Sequence, residues 1–515
     1  MKGSVPKLFS AELEGIDAEL IEVEADLNVG LHSFNIVGLA DKAVSEAKER
    51  VNSALKNSGI KPPTRENRKI TINLAPADTK KAGSRFDLPI AVAYLLASGQ
   101  IKEFSTHDKL FIGELSLDGA LRPVSGALNI ALLARTHHIR HLFLPAQNAA
   151  EAAIVQEVTV IPVHTIKELI EHLEGACEIM EQEKTMITPN HESSRVSLSE
   201  IRGHAAAKRA LAIAAAGGHN ILMSGPPGTG KTMLAQAIPS ILPLPTLEES
   251  IEITKIYSAA GLTARSSFID YRPFRAPHHS ASLVSILGGG SNPRPGEISL
   301  AHRGVLFMDE LPEFHRDILE GLRQPLEDGR VHVARAKKTL IFPSRFILAA
   351  AMNPCPCGNF ESGDKECVCT AHEILRYQKK LSGPLLDRFD IQIEVKKIPI
   401  DDLRRPQNDM ETREEDSNLL RKQIADARKL QKERFMHTTP HIFTNAEMSS
   451  RQTEEFALSD GEAEEFLKHI LEKQTLSTRG YYRILKVGRT IADLAGSRNI
   501  KKEHLAEAFQ YRLRD

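Results

Sequence analysis

Net charge is almost missing from this 515-residue chain: 66 basic residues face 67 acidic ones, leaving −1. No global basic field therefore advertises nucleic acid, although a local basic stripe stays open. Long apolar runs are missing too, and none approaches the roughly 18 residues that a membrane-spanning helix needs. The opening stretch MKGSVPKLFSAELEGIDAEL lacks the basic-then-apolar build of a signal peptide. The expectation is a cytoplasmic protein with no membrane partner, where thiols stay reduced. Cysteine is scarce at five residues, yet four of them fall in one stretch, MNPCPCGNFESGDKECVCT at 352–370. Internal repeats are absent as well.

What is present has an ordinary soluble composition and the length of two to four domains. Residues 1–175 mix strand-like segments (HSFNIVGLA, RKITINLAPAD) with helical ones (DKAVSEAKERVNSALKNSG, DLPIAVAYLLASG), as in an α/β or α+β domain. Residues 176–197 lose the core-forming pattern and read as a linker. A small-residue helix, AAAKRALAIAAAGG, and a short buried strand, NILMSG, then open a nucleotide-binding α/β module over 198–395. A polar connector, 396–418, precedes a last segment, 419–515, with helical spacing.

The strongest motif is GPPGTGKT: Gly225, Pro226, Pro227, Gly228, Thr229, Gly230, Lys231 and Thr232. It fits the phosphate-binding loop pattern, with a strand before it and a helix after it. The glycines let backbone N–H groups curl toward phosphates, and the helix N-terminus adds partial positive charge. Lys231 would reach the β- and γ-phosphates of ATP, and Thr232 would hold Mg²⁺. Further on, GVLFMDE (304–310) is an apolar strand ending in two carboxylates. Asp309 is placed to hold Mg²⁺, and Glu310 to deprotonate the attacking water.

Two more positions suit an ATPase that works as an oligomer. Asn353 ends the apolar strand RFILAAAMN, where it could bond the attacking water or the γ-phosphate. Arg388, in SGPLLDRFD, could neutralise transition-state charge on a neighbouring subunit's nucleotide. The cysteines Cys355, Cys357, Cys367 and Cys369 form two close pairs joined by a short loop. They read first as ligands of a structural Zn²⁺, with a redox pair and an iron–sulfur cluster as alternatives. His372 is a spare ligand.

This order of motifs resembles the AAA+ superfamily, in the clade of magnesium-chelatase and MCM-like ATPases. The run FRAPHHSASLVSILGGGSNPRPGEISLAHRGVLFMDELPEF (274–314) is similar to the ComM/YifB family, as is STRGYYRILKVGRTIADLAG. The resemblance covers nearly the whole chain. It implies an N-terminal Lon-protease-like domain of the S5 domain 2-like fold, an AAA+ core and a C-terminal helical lid. In FDLPIAVAYL the serine position of a Lon dyad falls at Ile90, and the lysine position falls at Leu128, so the resemblance implies no proteolysis. It also implies that Arg479 is the sensor-2 arginine, with Arg483 as runner-up. Similarity to MCM implies a β-hairpin within 327–346 whose turn, with Arg335, Lys337 and Lys338, contacts DNA in a ring pore. The activity implied is a hexameric DNA motor promoting branch migration in natural transformation. Single-stranded and branched DNA, and a recombinase, would be its partners. The alternative is a chelatase-type ATPase remodelling a protein or metal-insertion complex.

Overall fold

The computed structural model describes residues 5–65, 67–185, 196–263, 268–290, 293–334, 339–360, 365–398, 410–439, 442–473 and 477–512. The chain divides into two compact units. The first is Met1–Thr188 with Leu247–Ile269, and the second is Pro189–Thr246 with Asp270–Asp515. Among the described residues, no helix is long and apolar enough to cross a membrane.

The strands of the first unit are β1 (Lys7–Glu14), β2 (Asp17–Val29), β3 (Ser33–Val37), β4 (Arg68–Ala75), β5 (Lys109–Phe111), β6 (Glu114–Leu115), β7 (Leu121–Arg122), β8 (His141–Pro145) and β9 (Thr159–Val163). Seven of them form one mixed sheet in the order β3-β4-β2-β1-β5-β8-β9. β1 and β4 run antiparallel to β2, and the other neighbours are parallel. Side chains alternate across a strand, so each strand feeds two cores. Ile21, Val23, Phe111, Phe143 and Ile161 enter one core with the Asp87–Ala97 helix. Ala11, Leu110, Leu142, Leu144 and Val160 enter the other, with the Ala127–Thr136 helix.

That alternation also separates the two positions singled out for a Lon dyad. Ile90 lies in the first core and Leu128 in the second, on opposite faces of the sheet. Their aliphatic character reflects packing.

The boundaries shift for physical reasons too. The expected linker begins inside the first unit. Ile179 is buried in its core, and the backbone of Gln182 donates to Val160 at 2.8 Å. Residues 186–195 lie outside the described set. The expected ATPase module is also interrupted. Helix Leu247–Ala260 and the following residues pack in the first unit, where Phe268 joins the second core and Ile251 lies against it. Buried Glu151 accepts from the Leu128 backbone at 3.2 Å, from Ser258 Oγ, and from Thr263 Oγ1 at 2.9 Å.

The second unit holds β10 (Ile221–Ser224), β11 (Phe274–Arg275), β12 (Gly288–Gly289), β13 (Arg294–Pro295), β14 (Val305–Met308), β15 (Arg330–Ala334), β16 (Thr339–Pro343), β17 (Ile347–Met352) and β18 (Ile391–Glu394). Five make a wholly parallel sheet in the order β11-β14-β17-β10-β18. Parallel strands buried on both faces read as continuous apolar runs, and ILAAAM in β17 is buried throughout. The alanine-rich helix Ala205–Gly217 packs on this sheet and ends at Gly218, whose φ of 73° suits a left-handed cap. The polar connector is shorter than expected, because helix Met410–Phe435 begins within it. Helices Gly461–Lys473, Thr478–Leu494 and Lys502–Gln510 follow. Leu467, Ile491 and Leu505 share one apolar core with Ile221, Phe307 and Ala349 of the sheet.

Candidate active site

In a parallel sheet the carboxyl ends of the strands share one edge, and a crevice forms where loops leave in different directions. Here β17 lies between β10 and β14. Its end therefore stands between the glycine-rich loop after β10 and the carboxylates after β14. The register pairs Ser224 with Met352 and Met308 with Ala350. Gly225 continues this ladder, its N–H donating to the Met352 carbonyl at 3.2 Å.

The loop conformation explains its glycines. Gly228 and Gly230 have φ of 78° and 82°, which other residues rarely adopt. A Cβ on Gly225 would sit 2.2 Å from the Val395 carbonyl oxygen. Gly230 caps the Lys231–Ile241 helix, whose first turn carries both polar groups of the motif. Lys231 Nζ donates to the carbonyls of Gly225 at 2.6 Å and Pro226 at 2.8 Å, and to Asn353 Oδ1 at 3.2 Å. Thr229 Oγ1 closes the loop on the Pro226 carbonyl at 3.0 Å. Burial lowers the Lys231 pKa, while Asp309 and Glu310 act in the opposite direction.

Thr232 Oγ1 donates to Asp309 Oδ2 at 2.8 Å. A hydroxyl and a carboxylate this close are the hard oxygen donors that Mg²⁺ prefers, so Thr232 and Asp309 fit a magnesium site. Asp309 Oδ1 accepts the Glu310 N–H at 2.9 Å. Glu310 has φ of 51°, an uncommon value for a residue other than glycine. Its side chain is more than half exposed, and Oε2 lies 3.7 Å from His279 Nδ1. The structure thus gathers Lys231, Thr232, Asp309, Glu310 and Asn353 at one strand edge.

The two arginines are held differently. Arg388 follows the short Gly383–Leu386 helix, with Nη1 donating to the Pro384 carbonyl at 3.0 Å and Nη2 to Glu327. Arg479 Nη2 reaches the other oxygen of Glu327 at 3.4 Å. Arg483, the runner-up, is tied to the Phe389 and Asp387 carbonyls. Both Arg388 and Arg479 are thus engaged at Glu327 rather than at the glycine-rich loop.

The four cysteines converge. Their sulfur atoms lie within 4.8 Å of one another. Three separations are 3.4, 3.6 and 3.6 Å. A tetrahedral Zn–S₄ site has sulfur–sulfur edges of roughly 3.8 Å, from its bond length near 2.3 Å. The residues therefore fit zinc, which would lock the loop. The Phe360 N–H points at Cys355 Sγ at 3.3 Å, and the Asn359 backbone draws the Cys357 thiol down to about 6. His372 is exposed on a neighbouring helix and is not part of the cluster. Gly358 in this loop (φ 80°) meets the glycine-rich loop so closely that a Cβ there would lie 2.6 Å from Pro227 Cδ. The four-cysteine loop thus buttresses the glycine-rich loop.

The expected hairpin is formed by β15 and β16, with Ala334 paired to Thr339. Arg335, Lys337 and Lys338, at its turn, lie outside the described residues. Sequence reasoning passes over His279, Glu327 and Tyr377. The Tyr377 hydroxyl, pushed up to about 12 by burial, bonds the Asn353 backbone. These residues belong to no motif, and only the fold brings them to the site.

Comparison with known proteins gives the family of the chain. Residues 197–403 match the family model "Magnesium chelatase, subunit ChlI", and 414–512 match its C-terminal counterpart. Residues 23–148 match "Subunit ChlI of Mg-chelatase". The competence protein ComM of Haemophilus influenzae is 43% identical over 516 residues, covering 99% of this chain and 97% of that one. The chain belongs to the ComM/YifB family. YifB of Escherichia coli is 40% identical over 97% of this chain and 96% of its own. A Lon protease of Chloroflexus aurantiacus is 29% identical over 164 residues, 30% of this chain and 20% of that one. Membership of the ComM/YifB family makes this a magnesium-chelatase-like AAA+ protein, and that family implies ATP hydrolysis.

Proposed function

We propose that this protein is an ATP-driven DNA motor that forms a hexameric ring and promotes branch migration during recombination of incoming DNA. The observation that carries the hydrolytic half is the convergence of Lys231, Thr232, Asp309, Glu310 and Asn353 at one edge of the parallel sheet. Lys231 binds the β- and γ-phosphates of ATP. Thr232 and Asp309 hold Mg²⁺, which supplies charge neutralisation there. Glu310 takes the proton of the attacking water, and Asn353 orients that water. The DNA half is supported by the Haemophilus relative, which is named a competence protein. Competence concerns the uptake of DNA, and in this reading single-stranded and branched DNA, with a recombinase, are the motor's partners.

In the ring, Arg388 leaves Glu327 for a neighbour's γ-phosphate and Arg479 meets the nucleotide of its own chain. The β15–β16 turn, with Arg335, Lys337 and Lys338, tracks phosphates in the pore, a contact that weakens with salt. A structural zinc in the four-cysteine loop keeps the phosphate loop in shape.

The family models are named for magnesium chelatase, and this favours a second reading: an ATPase that remodels a protein or metal-insertion complex. One assay separates the two. The purified protein receives a labelled three- or four-stranded junction with ATP and Mg²⁺. Strand exchange, and faster hydrolysis with single-stranded DNA, are expected. Neither displacement nor stimulation would overturn the motor reading and leave the remodelling one. Glu310→Gln is expected to bind ATP and DNA while turnover falls about 100-fold or more.

A further inference from the structure

Arg388 sits in a turn, residues 387–390, that leads into β18. The three carbonyls around it are each held by a side chain. Arg483 Nη2 donates to the Asp387 carbonyl, and Arg483 Nη1 to the Phe389 carbonyl at 3.1 Å. Between them, Asn220 Nδ2 donates to the Arg388 carbonyl at 2.9 Å. The turn ends on Asp390, whose Oδ2 lies 3.3 Å from both the Asn220 backbone nitrogen and His219 Nδ1. Carbonyls of an irregular turn have no ladder partner, so water or side chains must satisfy them. Here two side chains take three consecutive carbonyls, and the peptides on either side of Arg388 are fixed.

The two holders come from different parts of the second unit. Asn220 precedes β10, and its Oδ1 also accepts the Leu348 N–H of β17 at 2.8 Å, which ties it to the middle of the sheet. Arg483 is on the Thr478–Leu494 helix, its side chain only 11% exposed. The same helix reaches the turn again seven residues on (490 less 483), where Thr490 Oγ1 bonds buried His219 at Nε2, 2.8 Å away. Seven residues are about two helical turns, so both contacts lie on one face. The planar fork of an arginine suits two acceptors at once, which a lysine does not. The location of the turn matters as well. Asn220 and Gly225 flank β10 at opposite ends, roughly 16 Å apart. The turn carrying Arg388 therefore stands at the amino edge of the sheet, away from the glycine-rich loop of its own chain.

We propose that Arg483, together with Asn220, is a positioning residue for Arg388: it fixes the backbone from which Arg388 reaches a neighbouring chain's γ-phosphate. Arg483 touches no nucleotide in this role. Its guanidinium is engaged at the turn, and it acts only through the direction in which Arg388 is presented. A misplacement of about 1 Å can cost about 100-fold in rate. That Arg388 meets a neighbour's phosphate rests on the proposed function; the hold of Arg483 and Asn220 on its turn does not.

The test measures ATP turnover by the full-length protein with Arg388→Ala, Arg483→Ala and both together. Each single change is expected to lower kcat about 10-fold or more, with KM for ATP within about twofold. The double variant should be no slower than Arg388→Ala alone, and a further loss would overturn the proposal. Mixed rings give the sharper reading. Glu310→Gln chains lack a working base but carry an intact Arg388 turn. Mixed with Arg483→Ala chains, they should raise turnover well above the sum of the two variants assayed apart, because Arg483→Ala sites then receive a sound arginine. Arg388→Ala chains should be restored in the same way. Restoration of Arg388→Ala but not of Arg483→Ala would overturn the proposal alone, since Arg483 would then serve its own chain's site. Unchanged turnover in Arg388→Ala, or no restoration of it, would overturn the neighbouring-chain role of Arg388 and the proposal with it. Where Arg483→Ala does not fold, Asn220→Asp decides the question. It keeps the acceptor for Leu348 and loses the donor to the Arg388 carbonyl, so a loss of turnover that Glu310→Gln chains restore is expected. Full turnover in Asn220→Asp, or a loss that mixing leaves in place, would overturn the proposal.

Discussion

Arg388 and Arg479 are bound by the same carboxylate, that of Glu327, one through each oxygen. Two guanidinium groups from elements 91 positions apart in sequence thus converge on one anion (479 less 388). Glu327 is half exposed, on the Arg323–Asp328 helix. A site that gathers two arginines on one carboxylate can exchange that carboxylate for phosphate, whose oxygens suit the same planar donors. Glu327→Gln is expected to lower the KM for ATP, by at most about fivefold, since exposed ion pairs are worth roughly 1 kcal/mol or less. The melting temperature should move little. A KM that does not change would show that neither arginine meets phosphate.

Asn353 poses a narrower question. Its Oδ1 accepts from Lys231 at 3.2 Å, and its backbone bonds Tyr377, so its position is fixed from two directions. Asn353→Ala removes a bond to a charged group, worth about 1.5–3 kcal/mol. Turnover of ATP should fall roughly 10- to 100-fold, with KM changed much less, because Lys231 keeps its two carbonyl partners. Steady-state kinetics on the purified variant would decide it, and unchanged kcat would remove Asn353 from the mechanism.

The four-cysteine loop meets the glycine-rich loop at Gly358 and Pro227. About one zinc per chain is expected by metal analysis, from four soft ligands in a tetrahedral array. Cys357→Ser should lose that metal and several degrees of thermal stability. Gly358→Ala tests the coupling more sharply. The variant keeps all four thiols, yet its Cβ would press on Pro227 Cδ at 2.6 Å, and φ of 80° disfavours alanine. Zinc should stay bound while ATP binding, followed by a fluorescent analogue, weakens. Normal ATP affinity in Gly358→Ala would show that the two loops are independent.

Much of this site is legible in the sequence, because its parts are local. A strand, a glycine turn and a helix N-terminus lie within a short stretch, and each end of an apolar strand announces itself. Asp309, Glu310 and Asn353 are found in that way. His279, Glu327 and Tyr377 are not, since what matters about each is a neighbour far away in the chain. The same holds for Leu247–Ile269. Its sequence continues the ATPase module without a break in composition, and only Phe268 and Ile251, packed in the first unit, reveal where it belongs. Ile90 and Leu128 illustrate the limit from the other side. Both are apolar and helical, and nothing in the sequence says that a sheet stands between them.

Glu151 offers a test of that misplaced segment. Its carboxylate is buried, burial raises its pKa, and its partners are the Leu128 N–H, the Asn148 side chain and two hydroxyls, Ser258 and Thr263, from the inserted stretch. A raised folded-state pKa means that the native state binds the proton more tightly than the unfolded chain. The resulting stability is complete below the ordinary glutamate range near 4.3 and is lost as pH rises through the raised value. Glu151→Gln has no such proton. Its melting temperature relative to the parent should therefore climb between about pH 4 and pH 7. At about pH 4 the variant should be the less stable, because one amide oxygen cannot serve every donor that the carboxyl group serves. Thermal melts across that range, on parent and variant, give the difference directly. A difference independent of pH would mean that Glu151 keeps an ordinary pKa, and that the hydroxyls of Ser258 and Thr263 outweigh its burial.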